Sequence, residues 1–353
     1  MSSELHRAAY SVLLPAFGDL RLDDNLRRYL SRGGVSLLLG ETREEYVGRD
    51  MSAERKAGES RADFIDIVRE ATAIAGAPLL IAVDQELGGI ERLHQLVPAV
   101  ASRAQLRSLA AGEIEQRCFE MASAARDLGV NLFLAPIVDV VTGANPWLLN
   151  RHLGADPVEV SRASCAFIRG VQRAGVIATA KHFPGHPVTE QDPAIAEATV
   201  PGPLELLHDN LDVFKTVIAS GVKAVMPGPA VIPSIDPDHS ASTSSKVIAV
   251  LRDTLGFKGL IISDDLDAVS ILRGNGITET AVASLLAGAH LLLVSSESGL
   301  EAIAEAIVAA VHEGTLERQM LLDAAARVRQ LAIATHAADT HDADSDGAGH
   351  EQQ

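Results

Sequence analysis

Apolar residues gather in eight short and nearly continuous runs: SVLLPAF (11–17), VSLLLGE (35–41), PLLIAVDQE (78–86), VNLFLAPIVDV (130–140), VIATAKHFPG (176–185), VKAVMPGPAVI (222–232), GLIISDD (259–265) and HLLLVSS (290–296). Runs that do not alternate with polar residues read as strands covered on both faces, as in a parallel sheet. Helix-compatible stretches separate them, at 52–75, 102–128, 156–174, 201–220, 243–256, 278–288 and 298–332. Several carry their own punctuation. Ser52 and Ser102 stand at N-cap places, Asp156-Pro157 is an N-cap with a first-turn proline, and Leu255-Gly256 closes a helix. Strand alternating with helix in this way predicts an α/β chain with a single-domain (β/α)8 TIM-type barrel over residues 1–335. A doubly wound open sheet is the competitor, but no GxGxxG follows the first strand. Residues 336–353 hold no lysine or arginine and almost no bulky apolar side chain, so they are expected to form a disordered acidic tail. Its histidines, His336, His341 and His350, are read as part of that solvated tail rather than as a metal site.

Composition narrows the picture. With 47% apolar residues and a mean hydropathy of +0.15, the chain can build a large core. A net charge of −17 makes nucleic acid and anionic membrane surfaces poor partners. The two cysteines, Cys118 and Cys165, fall in helical stretches, so a disulfide framework is not expected and a reducing compartment fits. Neither a signal peptide's apolar region nor a run of membrane-spanning length is present in this sequence, and a cytoplasmic protein is the expectation.

Charged residues sit where a barrel would use them. Asp84 and Glu86 end the third run, Asp139 the fourth, Lys181 and His182 the fifth, Asp264 and Asp265 the seventh. In such barrels chemistry lies at the C-terminal ends of the strands. An acid ending a buried run must be satisfied or functional, because a buried charge without partners is costly. A salt bridge accounts for any one of them alone; four strands converging on one rim point to a shared pocket. Three chemistries could use it. Schiff-base formation on Lys181 suffers from nearby acids that keep the amine charged. Metal-assisted hydrolysis suffers because Pro184 and Gly185 break the helix that would align His182 and His186. Glycoside hydrolysis, in which a carboxylate attacks the anomeric carbon, suits the set best. It requires no cofactor and no metal.

KHFPGH (181–186), GVNLFLAPIVDV (129–140), RHLGADP (151–157) and GFKGLIISDDL (256–266) together resemble glycoside hydrolase family 3. The resemblance runs over roughly residues 10 to 330 and is strongest to the single-domain β-N-acetylhexosaminidase branch, which trims N-acetylglucosamine from peptidoglycan fragments. It implies a retaining glycosidase acting on terminal β-linked N-acetylhexosamine or a related sugar. Asp264 then matches the nucleophile and Asp84 the carboxylate that receives sugar hydroxyls. Arg92, Arg151, Lys181 and His182 match the donors around the non-reducing sugar. Arginine and lysine there would bind hydroxyls and keep Asp264 ionised.

The departures cluster on the rim. After KHFPGH the family carries Asp-Ser-His, with the histidine as general acid/base; here Asp192, Pro193 and Ala194 stand in those places. Gly89 replaces a usual arginine, and Pro229 a usual histidine after the sixth strand. Loss of a general acid costs about 10²- to 10⁴-fold but leaves the nucleophile in place. Glu190, Asp192 or Glu197 could supply the proton instead, and Asp192 and Glu190 join Asp264 as catalytic candidates. The group could also pass to an anion that needs no base, or the barrel could bind sugar without turning it over. Aromatic residues are 3% of the chain, so a short pocket for one terminal sugar is expected rather than a long stacking groove.

Overall fold

In the computed structural model, which describes residues 2–346, the apolar runs become the staves of a closed sheet. In chain order the strands are β1 Leu13–Phe17, β2 Ser36–Leu39, β3 Leu80–Val83, β4 Leu132–Phe133, β5 Ile177–Phe183, β6 Ala224–Pro227, β7 Val231–Ile232, β8 Asp236–Ser240, β9 Leu260–Ile261 and β10 Leu292–Ser295. Eight of them pair in the order β10-β1-β2-β3-β4-β5-β6-β9, every pairing parallel. A further parallel bridge, Ile262 to Leu291, links the two outer strands and completes the ring. The expected TIM-type barrel is the fold.

Nearly every residue of these eight strands is buried, because helices cover the outside and side chains fill the inside. The helices start where the sequence marks them. Ser52 and Ser102 accept backbone hydrogen bonds as N-caps, and Asp156 caps the helix Pro157–Arg173 through Val158 N. Two long stretches are split, however. Residues 52–75 form Ala53–Gly58 and Arg61–Ala75, with Ser60 capping the second, and 102–128 form Arg103–Leu106 and Ala111–Arg126. The run 222–232 is divided too: β6 ends at Pro227, and β7 turns back against β8 in a small antiparallel hairpin.

The last helix runs Arg318–Asp346, beyond residue 335. Residues 336–346 are thus helical where a disordered tail was expected; the alanines among the acids keep helix propensity high even where there is nothing apolar to bury. Residues 347–353 of that tail lie outside the described residues. Among the described residues no helix is long and apolar enough to cross a membrane. Cys118 and Cys165 are buried and free.

Candidate active site

The C-terminal ends of the strands open onto a cavity of about 870 Å³, a size suited to a small molecule. Asp84, Arg151, Lys181, His182 and Asp264 all line it, and Glu41, Tyr46 and Asp265 share its wall.

Asp84 and Glu86 leave β3 on its final turn, and Lys181 is drawn in from β5. Its Nζ donates to Asp84 Oδ1 at 2.7 Å and lies 3.0 Å from Glu86 Oε1. Arg151 donates to both oxygens of Glu86, at 2.6 and 3.1 Å. Burial pushes the Glu86 carboxyl up, but the charges of Arg151 and Lys181 hold it well below the usual carboxylate range. Lys181 shows the mirror effect: burial works against its charge, and Asp84 and Glu86 outweigh it, so the amine stays protonated. The four groups neutralise one another and fix Asp84 as a hydrogen-bond acceptor at the cavity wall. Arg151 keeps a buried Nη1 with no protein partner.

Gly89, where the family usually has arginine, has a local reason to lack a side chain. A Cβ there would stand 2.1 Å from Glu86 Oε2, so the turn after β3 closes against its own carboxylate.

A second group is built around Asp139. Its two oxygens accept both the backbone N–H and the ring Nδ1–H of His182, at 3.0 and 2.9 Å, and the same pair from His186, at 2.8 and 3.2 Å. Burial would raise Asp139, but His182 and then His186 hold it low. Burial lowers His182, and Asp139 only partly offsets that, so the ring is neutral near pH 7 with its proton on Nδ1. Trp147 packs on both rings, with centroids 4.3 and 5.3 Å away. Behind them Gly228 leaves room for His186, whose Cε1 would be 2.0 Å from any Cβ at that position. Asp139, His182 and His186 also have the make-up of a metal trio, with ligand atoms within 4.8 Å of one another. Each Asp139 oxygen already takes two N–H bonds, which accounts for the arrangement without an ion.

Asp264 is held mainly by backbone and a hydroxyl. Its N–H donates to Ser242 Oγ at 3.0 Å, and its Oδ1 accepts Asp265 N–H at 2.8 Å. Oδ2 is sealed from solvent and has no protein partner.

The other sequence candidates lie elsewhere. Arg92 does not line the cavity. Its Nη atoms pair with Glu59 at 2.7 and 2.8 Å, and its Nε donates to Gly40 O at 2.6 Å. It braces the end of β2 instead. Asp192 stays on the loop after β5, where its Oδ1 accepts Ala194 N–H at 3.0 Å and its Oδ2 lies 3.4 Å from Arg49 Nη2. Arg49 in turn stacks over Tyr46, 4.6 Å from the ring centre, and Tyr46 is on the cavity wall. Glu190 and Glu197 are exposed, with Glu197 3.6 Å from Arg273. None of these three carboxyl groups lines the cavity.

Glu41 was missed by the sequence reading. It ends the run VSLLLGE in the same way that Asp84 ends its own, so the rule that found the other acids applied to it as well.

The sequence profile of the glycosyl hydrolase family 3 N-terminal domain matches residues 19–331. A β-hexosaminidase of Idiomarina loihiensis is 33% identical over 239 residues, covering 66% of this chain and 72% of that protein. One from Xylella fastidiosa is 34% identical over 246 residues, 67% and 72% of the two chains. Among solved structures, a family 3 β-N-acetylglucosaminidase from Paenibacillus superposes with a TM-score of 0.83 at 30% identity, covering 94% of this chain and 62% of that one. A β-N-acetylhexosaminidase from Beutenbergia cavernae, at 23% identity and a TM-score of 0.80, shows the fold alone, over 93% of this chain and 98% of that one. The chain belongs to glycosyl hydrolase family 3, a family of glycosidases, and resembles β-hexosaminidases within it.

Proposed function

We propose that the protein is a glycosidase that releases a terminal β-linked N-acetylhexosamine, or a closely related sugar, by a retaining mechanism with Asp264 as nucleophile. The observation that carries this reading is the Asp264 carboxylate: one oxygen held by Asp265 N–H, the other unpartnered, in the cavity shared with Asp84 and Lys181. The Asp264 carboxylate attacks the anomeric carbon, and the bond to the leaving oxygen breaks as the glycosyl ester forms. Water then attacks the same carbon and frees the carboxylate. Asp84 receives sugar hydroxyls, while Arg151, on the same wall, holds the charge of Glu86 in place. His182, neutral and with its proton on Nδ1 committed to Asp139, offers Nε2 as an acceptor and does not serve as the acid. Arg92 acts through Gly40 and Glu59 rather than by touching sugar.

Proton delivery is the weak step. Asp192 still closes the turn that would present a residue at 194, but that residue is alanine, and Asp192 itself is paired with Arg49 away from the cavity wall. Glu190 is exposed and does not line the cavity. Hydrolysis is therefore expected to favour leaving groups that depart without protonation. The buried, free cysteines support a reducing, cytoplasmic setting as part of the same reading.

The test is mass spectrometry of the intact protein after incubation with a 2-fluoro or 5-fluoro N-acetylglucosaminide bearing an activated leaving group. An adduct mapped to Asp264 is the expected result. An adduct on another residue would move the nucleophile. Sugar binding by calorimetry with no adduct and no turnover would make the barrel a sugar-binding protein.

A further inference from the structure

Glu41 follows directly on β2 and forms part of the cavity wall. The residue is half-buried, yet its Oε2 is sealed from solvent and has no protein partner. Four charged groups face it: Asp84 and Glu86 from the end of β3, Arg92 from the turn beyond, and Lys181 from β5. Neither cation is free for it. Lys181 is engaged with Asp84 and Glu86, and Arg92 with Glu59 and Gly40 O. A charge on Glu41 would be a further carboxylate beside two others, with no counter-ion of its own. Burial first, then the charge of Asp84, push its carboxyl up to about 8; Arg92 and Lys181 offset this only in part. At neutral pH Glu41 is thus a hydrogen-bond donor with nothing in the protein to donate to.

We propose that Glu41 is a specificity-determining residue of the sugar site: its neutral carboxyl donates to the oxygen of a sugar hydroxyl whose own proton goes to Asp84. A donor and an acceptor on the wall of one cavity read a hydroxyl from both directions. A deoxy or fluoro position lacks the proton that Asp84 requires, and an O-methyl group lacks it and adds bulk. The pairing also sets a pH limit on recognition. Once Glu41 ionises, it can no longer donate, and it repels Asp84 across the hydroxyl. Of the facing groups, Lys181 is held above its ordinary value and keeps its charge through this range, and Arg92 is paired with Glu59. Asp84 is the acceptor of the pair, and Glu86 is held low by its cations. Asp19, Arg21 and Asp23 line the same cavity from exposed positions at the mouth.

The proposal rests on the sugar-site reading above, and the test separates the two. KM and kcat on a nitrophenyl N-acetyl-β-glucosaminide are measured from about pH 6 to 9.5, with N-acetylglucosamine binding followed by calorimetry. Wild-type KM is expected to rise about 10-fold above pH 8, a value typical of one lost hydrogen bond, with kcat moving less. Glu41→Gln keeps a donor and cannot ionise, so the step in KM should disappear. Glu41→Leu should raise KM about 10-fold at pH 6.5, with circular dichroism checking that it folds. A wild-type step that persists in Glu41→Gln would overturn the role of Glu41 while leaving the glycosidase reading intact. Absence of both turnover and sugar binding in the wild type would overturn the sugar site, and this proposal with it. Should Glu41→Leu fail to fold, the pH profile of Glu41→Gln still decides.

Discussion

The C-terminal end of β5 and the loop that follows it make an instructive pair. At the strand end, Lys181 and His182 are buried and each is tied to a carboxylate from another strand, Asp84 or Asp139, through bonds of 2.7 to 3.0 Å. A few residues on, the chain passes Glu190, which is exposed, and Asp192, whose nearest cation is 3.4 Å away, and reaches Ala194, which carries no polar group. The first region holds one wall of the cavity in place with paired charges. The second, which the proposed function makes the place of proton delivery, offers no polar side chain to the cavity. Binding and chemistry thus tolerate loss differently. A buried ion network fails when any one member goes, because the remaining charges are stranded, whereas a surface loop can shed its functional group and keep its turn.

Replacing Asp264 with asparagine should have the largest effect, lowering kcat by roughly 10³-fold or more because the attacking charge is removed. Calorimetric binding of N-acetylglucosamine should survive. Unchanged turnover would shift the role to Asp265 or elsewhere. Next comes Lys181→Met, which strands Asp84 as a buried carboxylate and leaves Glu86 with Arg151 alone, and it should cost about 3–5 kcal/mol in urea denaturation. The matching change in the loop, Asp192→Ala, should cost less than about 1 kcal/mol, since its ion pair with Arg49 is long, at 3.4 Å. Equal costs would erase the contrast between the two regions.

Restoring the lost donor sharpens the comparison from the other side. Asp192 already accepts Ala194 N–H, so Ala194→His, with Pro193→Ser, enters a turn that is preformed. It should raise kcat/KM about 10²-fold on alkyl glycosides and little on nitrophenyl glycosides, whose phenolate leaves unaided. A uniform gain would mean that the new histidine aids binding rather than proton transfer.

Glu41 gives a smaller effect with a defined sign. Its carboxyl titrates at about 8 in the fold, above the ordinary carboxylate value, so the folded state holds a proton that the unfolded chain has already lost. Stability therefore falls as pH rises from about 4.5 towards 8, and the loss levels off beyond that. Glu41→Gln removes the penalty, and its melting temperature should exceed that of the wild type by a margin that grows over this range. A constant margin would mean that Glu41 is not titrating there. The smallest change expected is for Glu190→Gln, within about 2-fold on any substrate. Selective slowing on poor leaving groups would identify Glu190 as a relocated acid.

Much of this was legible in the sequence for a simple reason. Strands buried on both faces must be apolar throughout, so the eight runs announced the barrel, and polar residues at their ends announced its working face. Asp84, Lys181, His182 and Asp264 followed from position along those runs, and the alanine at 194 from comparing one short motif with its family. Partner choice was not legible. Arg92 and Arg151 are both arginines in the resemblance, and only the fold shows one turned to Glu59 and the other to Glu86 at the cavity. The neutral state of Glu41 was equally hidden, because it arises from carboxylates and cations on β3 and β5, far away in the chain. Periodicity is a local property that each segment carries by itself. A protonation state or an ion pair is a sum over neighbours, and closing the barrel is what chooses the neighbours.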